Sequence, residues 1–166
     1  MQLKWTAVAL AAITLVACGK KEEAAAPAAT PAPTAAAPAA APPAESIVVK
    51  IGHVGPTSGA IAHLGKDNEL GAKMAVEDLN AKGVKIGDKV AKFELVAEDD
   101  AADPKQGTAV AQKLVDSKVN GVVGHLNSGT TIPASKLYSD AGIPQISPSA
   151  TNPKYTRQGF KTTFRV

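Results

Sequence analysis

From Ser46 onward, β-branched apolar runs alternate with stretches whose apolar and small residues recur at helical spacing. The run IVVKIGHVG (47–55) is largely apolar along its length, as a strand buried on both faces should be. DNELGAKMAVEDLNAK (67–82) then places Leu70, Met74 or Ala75, and Leu79 on one helical face, and Gly83 stops it. KVAKFELVAEDD (89–100) predicts a second strand, entered through the turn IGD. ADPKQGTAVAQKLVDSK (102–118) predicts a helix with Asp103 as N-cap and Pro104 in its first turn, burying Val110 and Leu114. VNGVVG (119–124), IPASKLYSDAG (132–142) and IPQIS (143–147) supply the third strand, third helix and fourth strand, and FKTTFRV (160–166) is a last extended segment. This alternation specifies an α/β fold: an open, mainly parallel sheet with helices on both faces.

In such a sheet, ligands bind beyond the carboxyl ends of the strands, often against helix N-termini. Four loops occupy those ends: GPTSGAIAHLG (55–65), AEDDAAD (97–103), GHLNSGTT (124–131) and SPSATNP (147–153). Three of them are rich in Gly, Ser and Thr, so function is expected there.

Several chemistries are testable on residue types alone. GHLNSGTT spaces its glycines like a phosphate-binding P-loop, but Thr130 stands where that motif needs lysine, and the reading fails on charge. Ser128 lies in LNSGT, which lacks the first glycine of a nucleophile elbow. Of the three histidines, His53 falls in or just after a strand and His63 in the first loop. Only His125 lies beside Ser128, and no acidic orienter for it is identifiable, so all three read as hydrogen-bonded loop or strand-end residues. They match no zinc spacing. Glu98, Asp99, Asp100 and Asp103 lack the alternate ligands and central glycine of an EF-hand loop. Asp103 therefore reads as a helix cap and the other three as solvated.

A neutral site of hydroxyls and amides remains. Ser128, with the N–H groups around Gly129 and Thr130, suits a carboxylate at a helix start without any lysine. The irregular stretch SPSAT, with Ser149, Ala150 and Thr151, offers carbonyl and hydroxyl acceptors for an ammonium. Thr131, soon followed by Pro133, reads as the helix cap, which leaves Ser128 and Thr151 free to bind.

The N-terminus sets the compartment. Residues 1–17 have one positive charge at Lys4 and a short apolar stretch, the proportions of a secretory signal peptide rather than of a span, which takes ~20 residues. LVAC, ending in the chain's single cysteine, resembles the lipobox of bacterial lipoproteins, which implies cleavage before Cys18 and lipidation of its thiol. Loss of Lys4 takes the formal charge from +3 to +2 (3 − 1), a balance that gives no electrostatic case for nucleic acid. Residues 18–45 carry a charged GKKEE cluster and then a tract of Ala, Pro and Thr, expected to be a semi-extended linker. The folded part is thus expected over 46–166.

IGHVGPTSGAIAHLGKDNELGAKMAVEDLNAKG and EDDAADPKQGTAVAQKLV resemble the N-terminal half of the branched-chain amino-acid receptors of ABC transporters, and VVGHLNSGTTIPAS and GIPQISPSATNP extend the likeness. It runs from about Ile47 to Val166 without large gaps. The resemblance implies a class I periplasmic binding protein: two α/β lobes closing on an amino acid in the cleft, with no covalent chemistry and no cofactor. Carried over residue by residue, it implies that Ser128 binds the ligand carboxylate. Thr151 contacts carboxylate and ammonium, the Ser149 carbonyl accepts from the ammonium, and Leu64 packs on the ligand side chain where leucine-binding members are often aromatic. Some members carry a cysteine pair at the positions of Ala102 and Asn127, and here Asn127 becomes a further polar contact instead. Expected partners are a small neutral amino acid and permease subunits of an ABC importer. The expected location is the periplasm, with a lipid anchor as the only tie to a membrane; Gly19 after the cysteine favours the outer one. Family members continue into a second lobe, so 46–166 is expected to be the first segment of the N-terminal lobe, truncated before the second. A receptor for a polar amino acid, amide or aromatic acid is an alternative within the fold. A non-binding interaction module and a nucleotide-dependent enzyme are alternatives outside it.

Overall fold

A computed structural model of the chain describes residues 45–166; the expectations for the signal peptide, Cys18 and the Ala/Pro tract concern residues outside that range. The central strand β1 (Ser46–Gly55) pairs in parallel with β3 (Lys89–Asp99) along its whole length and with β4 (Gly121–Gly124) at its carboxyl end. Beyond β4 lie β5 (Gln145–Ser147) and β6 (Thr163–Arg165), both parallel, so the order is β2-β3-β1-β4-β5-β6. The one antiparallel strand among the described residues, β2 (Lys85–Ile86), forms a tight hairpin into β3 where the sequence had shown only a turn. The expected open, mainly parallel sheet is therefore present.

Helices α2 (Pro104–Asp116) and α3 (Ser128–Asp140) cover one face and pack on each other. Asp103 caps α2 as its side chain accepts from the Gln106 N–H at 2.8 Å, with Pro104 at the first helical position. This face carries the core: Val54, Ala111, Leu114, Val122, Ala134 and Tyr138, with Val110 partly buried against it. Complete burial of Leu114 contributes roughly 1.5–3 kcal/mol. The two helices approach closely because Gly107 has no side chain; a Cβ there would lie 3.1 Å from the Cβ of Thr130.

Helix α1 (Ala62–Lys82) lies against β1 and β3 and differs from expectation in where it starts. It begins at Ala62 rather than Asp67, so His63 and Leu64 stand on a helical turn and not in a loop. It still ends at Gly83, which takes the left-handed conformation (φ 60°). On its apolar stripe, Leu70 and Met74 are 57% and 65% exposed, and Gly65 is the helix's one buried residue. Periodicity finds an apolar stripe but not what covers it. Gly65 brings this helix against the backbone of Pro56, and Ile146 and Phe164 stay about half exposed.

Candidate functional site

Because the strands run parallel, the loops after β1, β3, β4 and β5 meet at one edge of the sheet. Acidic residues at the end of β3 tie three of them together. Asp99 Oδ1 accepts from the N–H groups of Thr57 and Ala101, both at 2.8 Å, and so fixes the loop after β1. Burial pushes its carboxyl upward, but bonds from Ser58, Ala101 and Thr57 outweigh this and hold it below the ordinary carboxylate value. Asp100 is fully buried; it accepts from Ala102 N–H (3.0 Å) and meets His125 Nδ1 at 2.8 Å. Burial raises its pKa, yet the bond from His125 and the Ala102 N–H win, and the net shift is downward. His125 Nε2 lies 3.2 Å from the Tyr138 hydroxyl, whose pKa burial raises.

This arrangement corrects two expectations. Asp99 and Asp100 are not solvated strand-end acids: one orders a loop and the other is sealed against a histidine. His125 does have an acidic partner, but both its ring nitrogens are engaged, by Asp100 and Tyr138, and neither by Ser128. The Asp100–His125–Tyr138 chain is thus a closed structural network rather than a general base for that serine.

Helix α3 starts earlier than expected, at Ser128, and Asn127 occupies the cap position. Thr131 is inside the first turns, where its hydroxyl donates to the carbonyls of Asn127 (2.7 Å) and His125 (3.0 Å). Pro133, which had suggested a later start, sits within the helix; it removes only the bond that would reach back to the Gly129 carbonyl. The N–H groups of Ser128 and Gly129 have no intrahelical acceptor and form the positive end of the helix dipole. Ser128 Oγ accepts from Asn152 N–H at 3.1 Å, so its own hydrogen is free to be donated elsewhere. Gly129 is exposed, and a Cβ there would meet nothing within 4 Å. Asn127 Oδ1 is buried without a partner.

The loop after β5 is stitched to this helix start. Ser147 Oγ donates to the His125 carbonyl (2.7 Å) and accepts from Ala150 N–H (3.0 Å), while Ser149 Oγ donates to the Leu126 carbonyl (2.9 Å). Ala150 is buried, whereas Ser149 and Thr151 are exposed. Of the residues singled out in the sequence, Asn127, Ser128, Gly129, Ser149, Ala150 and Thr151 therefore come together. Leu64, 42% exposed on the first turn of α1, shares no hydrogen bond with that cluster among the described residues. A cavity of about 460 Å³ lies beside it, between Gly71, Ala72 and Ala75 of α1 and Val123 and Pro148, not over Ser128 or Thr151. Sequence reading had missed Ser147, Asn152 and Arg165, whose Nη1 donates to the carbonyls of Ala150 (3.1 Å) and Thr151 (2.7 Å). No local spacing announces such contacts, since they join segments 14 to 24 residues apart.

A family model described as periplasmic binding protein matches residues 48–166. The leucine-specific-binding protein of Salmonella typhimurium is 46% identical over 118 residues, and an amino acid binding protein of Pseudomonas aeruginosa is 48% identical over 119. Each match covers 71% of this chain and 31% of the relative, so the chain spans about a third of the length of these curated relatives. The crystal structure of a branched-chain amino acid transporter substrate binding protein from Streptococcus pneumoniae, in complex with isoleucine, superposes with a TM-score of 0.65. It is 37% identical, with 72% of this chain and 33% of that one covered.

Proposed function

The chain belongs to the periplasmic binding protein family, and on that premise we propose that it is the ligand-binding part of an extracytoplasmic receptor of an ABC importer. Its ligand in this reading is a neutral, branched-chain amino acid. The observation that carries the reading is the convergence of the α3 N-terminus, the Ser128 hydroxyl and the loop 149–151 at one sheet edge. Ser128 and the Gly129 N–H donate to the ligand carboxylate, and Thr151 contacts both carboxylate and ammonium. The Ser149 carbonyl accepts from the ammonium. Asn127 and buried Ala150 line the site, and Leu64 on α1 meets the side chain.

The family binds substrates, and the engaged nitrogens of His125 support binding without covalent chemistry here. Residues 46–166 act as the first segment of the N-terminal lobe. Residues 1–17 direct export, and Cys18 with the linker to 45 tethers the domain to a bacterial membrane, the outer one by the Gly19 argument. Delivery is to the permease subunits of the importer.

Ligand preference is tested by melting the full chain, followed by circular dichroism, with excess leucine, isoleucine, valine, glutamine, aspartate, arginine or benzoate. A ligand that binds only the folded state raises the midpoint by mass action, about 2.7 kcal/mol at a hundredfold excess over Kd. Stabilisation by the three branched-chain amino acids is expected. Stabilisation by benzoate or glutamine alone supports the aromatic-acid or amide alternative, and ATP with magnesium serves as the nucleotide control.

A further inference from the structure

A loop that holds both ends of an amino acid has to keep carbonyl oxygens away from the carboxylate and still present one to the ammonium. The turn 149–151 contains three carbonyls, and the structure shows what separates them. Strand β6 pairs with β5 so that Arg165 lies opposite Ser147, where the turn begins. From there its Nη1 donates to the Ala150 carbonyl at 3.1 Å and to the Thr151 carbonyl at 2.7 Å. On the other side, Ser147 Oγ holds the Ala150 N–H, and the Asn152 N–H reaches Ser128 Oγ. Once these bonds are counted, the polar groups of Ser149–Thr151 with no hydrogen bond among the described residues are the Ser149 carbonyl and the N–H and hydroxyl of Thr151. Those are the groups that an amino acid's ammonium and carboxylate require.

We propose that Arg165 is a positioning residue for the ligand site. Its two-carbonyl contact holds the Ala150 and Thr151 oxygens away from the carboxylate and leaves Ser149 as the ammonium acceptor. The inference rests on the ligand-site reading given under Proposed function. The geometry suits arginine specifically. One planar nitrogen carries two hydrogens in a fixed fork, whereas a lysine ammonium has no fixed directions and a shorter reach. Arg165 is solvent-exposed, so screening keeps the effect moderate.

The test compares the isotope-labelled full chain with R165M and R165K by NMR, with L-leucine as the probe. In R165M, the carbonyl-carbon signals of Ala150 and Thr151 move, the amides of 149–152 broaden, and leucine affinity falls on the order of tenfold. The core signals of Val54, Leu114 and Tyr138 stay in place, which separates positioning from unfolding. R165K, which keeps the charge without the fork, recovers only part of the affinity. Wild-type carbonyl signals and leucine affinity in R165M overturn the positioning role while the site reading stands. Full recovery in R165K overturns it as well, because charge alone then suffices. If leucine moves no signal at Ser128 or Thr151 in the wild-type chain, the site reading fails and the proposal falls with it.

Discussion

Replacing Gly65 with alanine places a methyl carbon 2.1 Å from the carbonyl oxygen of Pro56, 2.5 Å from its carbonyl carbon and 2.8 Å from its nitrogen. All three are backbone atoms, so no rotamer change relieves the overlap. The first turn of α1 has to move away from the end of β1 by about an ångström. Overpacking of this kind costs ~1–3 kcal/mol, and the rigid backbone on both sides argues for the upper part of that range. Alanine is better than glycine in a helix by about 1 kcal/mol, which offsets part of the loss. The net expectation for G65A is a destabilisation of about 2 kcal/mol. Gly71 in the same helix is the control: it is exposed and a Cβ meets nothing within 4 Å, so G71A should stabilise by about 1 kcal/mol. Urea unfolding of both variants should move the midpoints in opposite directions at an unchanged m-value. A G65A midpoint at or above wild type would refute the reasoning, because α1 would not then be docked through Gly65. The contact also matters for the site, since it holds the loop after β1 and the helical turn that carries Leu64.

Ser128→Ala should lower leucine affinity on the order of tenfold, read by the midpoint shift that leucine produces, because a hydroxyl donor to a charged group is lost. Tyr138→Phe leaves His125 Nε2 buried without a partner and should cost about 1–3 kcal/mol in urea unfolding; a cost near zero contradicts the closed network. His53 is fully buried, and burial depresses its pKa below 6.5, partly opposed by Glu69. Its depressed folded value means that its contribution to stability is present above pH 6.5 and is lost as pH falls, when the unfolded chain takes up the proton first. Asp99 and Asp100, also depressed, act only near and below 3.8. Stability should therefore decline between pH 7 and 5, and His53→Leu should flatten that decline. An unchanged slope in the variant assigns the effect elsewhere.

The sequence exposed those features that depend on short-range rules. Alternating apolar runs and helical spacing gave the parallel sheet, Asp103 with Pro104 gave the start of α2, and Gly83 gave the end of α1. The helix start at Ser128 was obscured by Pro133, because proline near a helix start and proline one turn inside it look alike in sequence. The roles of Asp100 and Arg165 were out of reach for a different reason. Asp100 meets a histidine 25 residues away and Arg165 meets carbonyls 14 and 15 residues away, each brought near only by strand pairing. The exposed stripe of α1 depends on what packs against it, which periodicity does not encode. For the candidate site, residue types singled out loops that the fold brings together, while their stitching through Ser147 and Asn152 emerged only from the fold.

The central claim is that the α3 start and the turn 149–151 together hold an amino acid. Its most direct test is amide chemical-shift mapping of the ¹⁵N-labelled chain during titration with L-leucine. Saturable shifts centred on Ser128, Gly129 and Thr151, absent with D-leucine, are expected. Shifts confined to the α1 groove around Gly71, Ala75 and Val123, or no saturable shift at millimolar leucine, would contradict it.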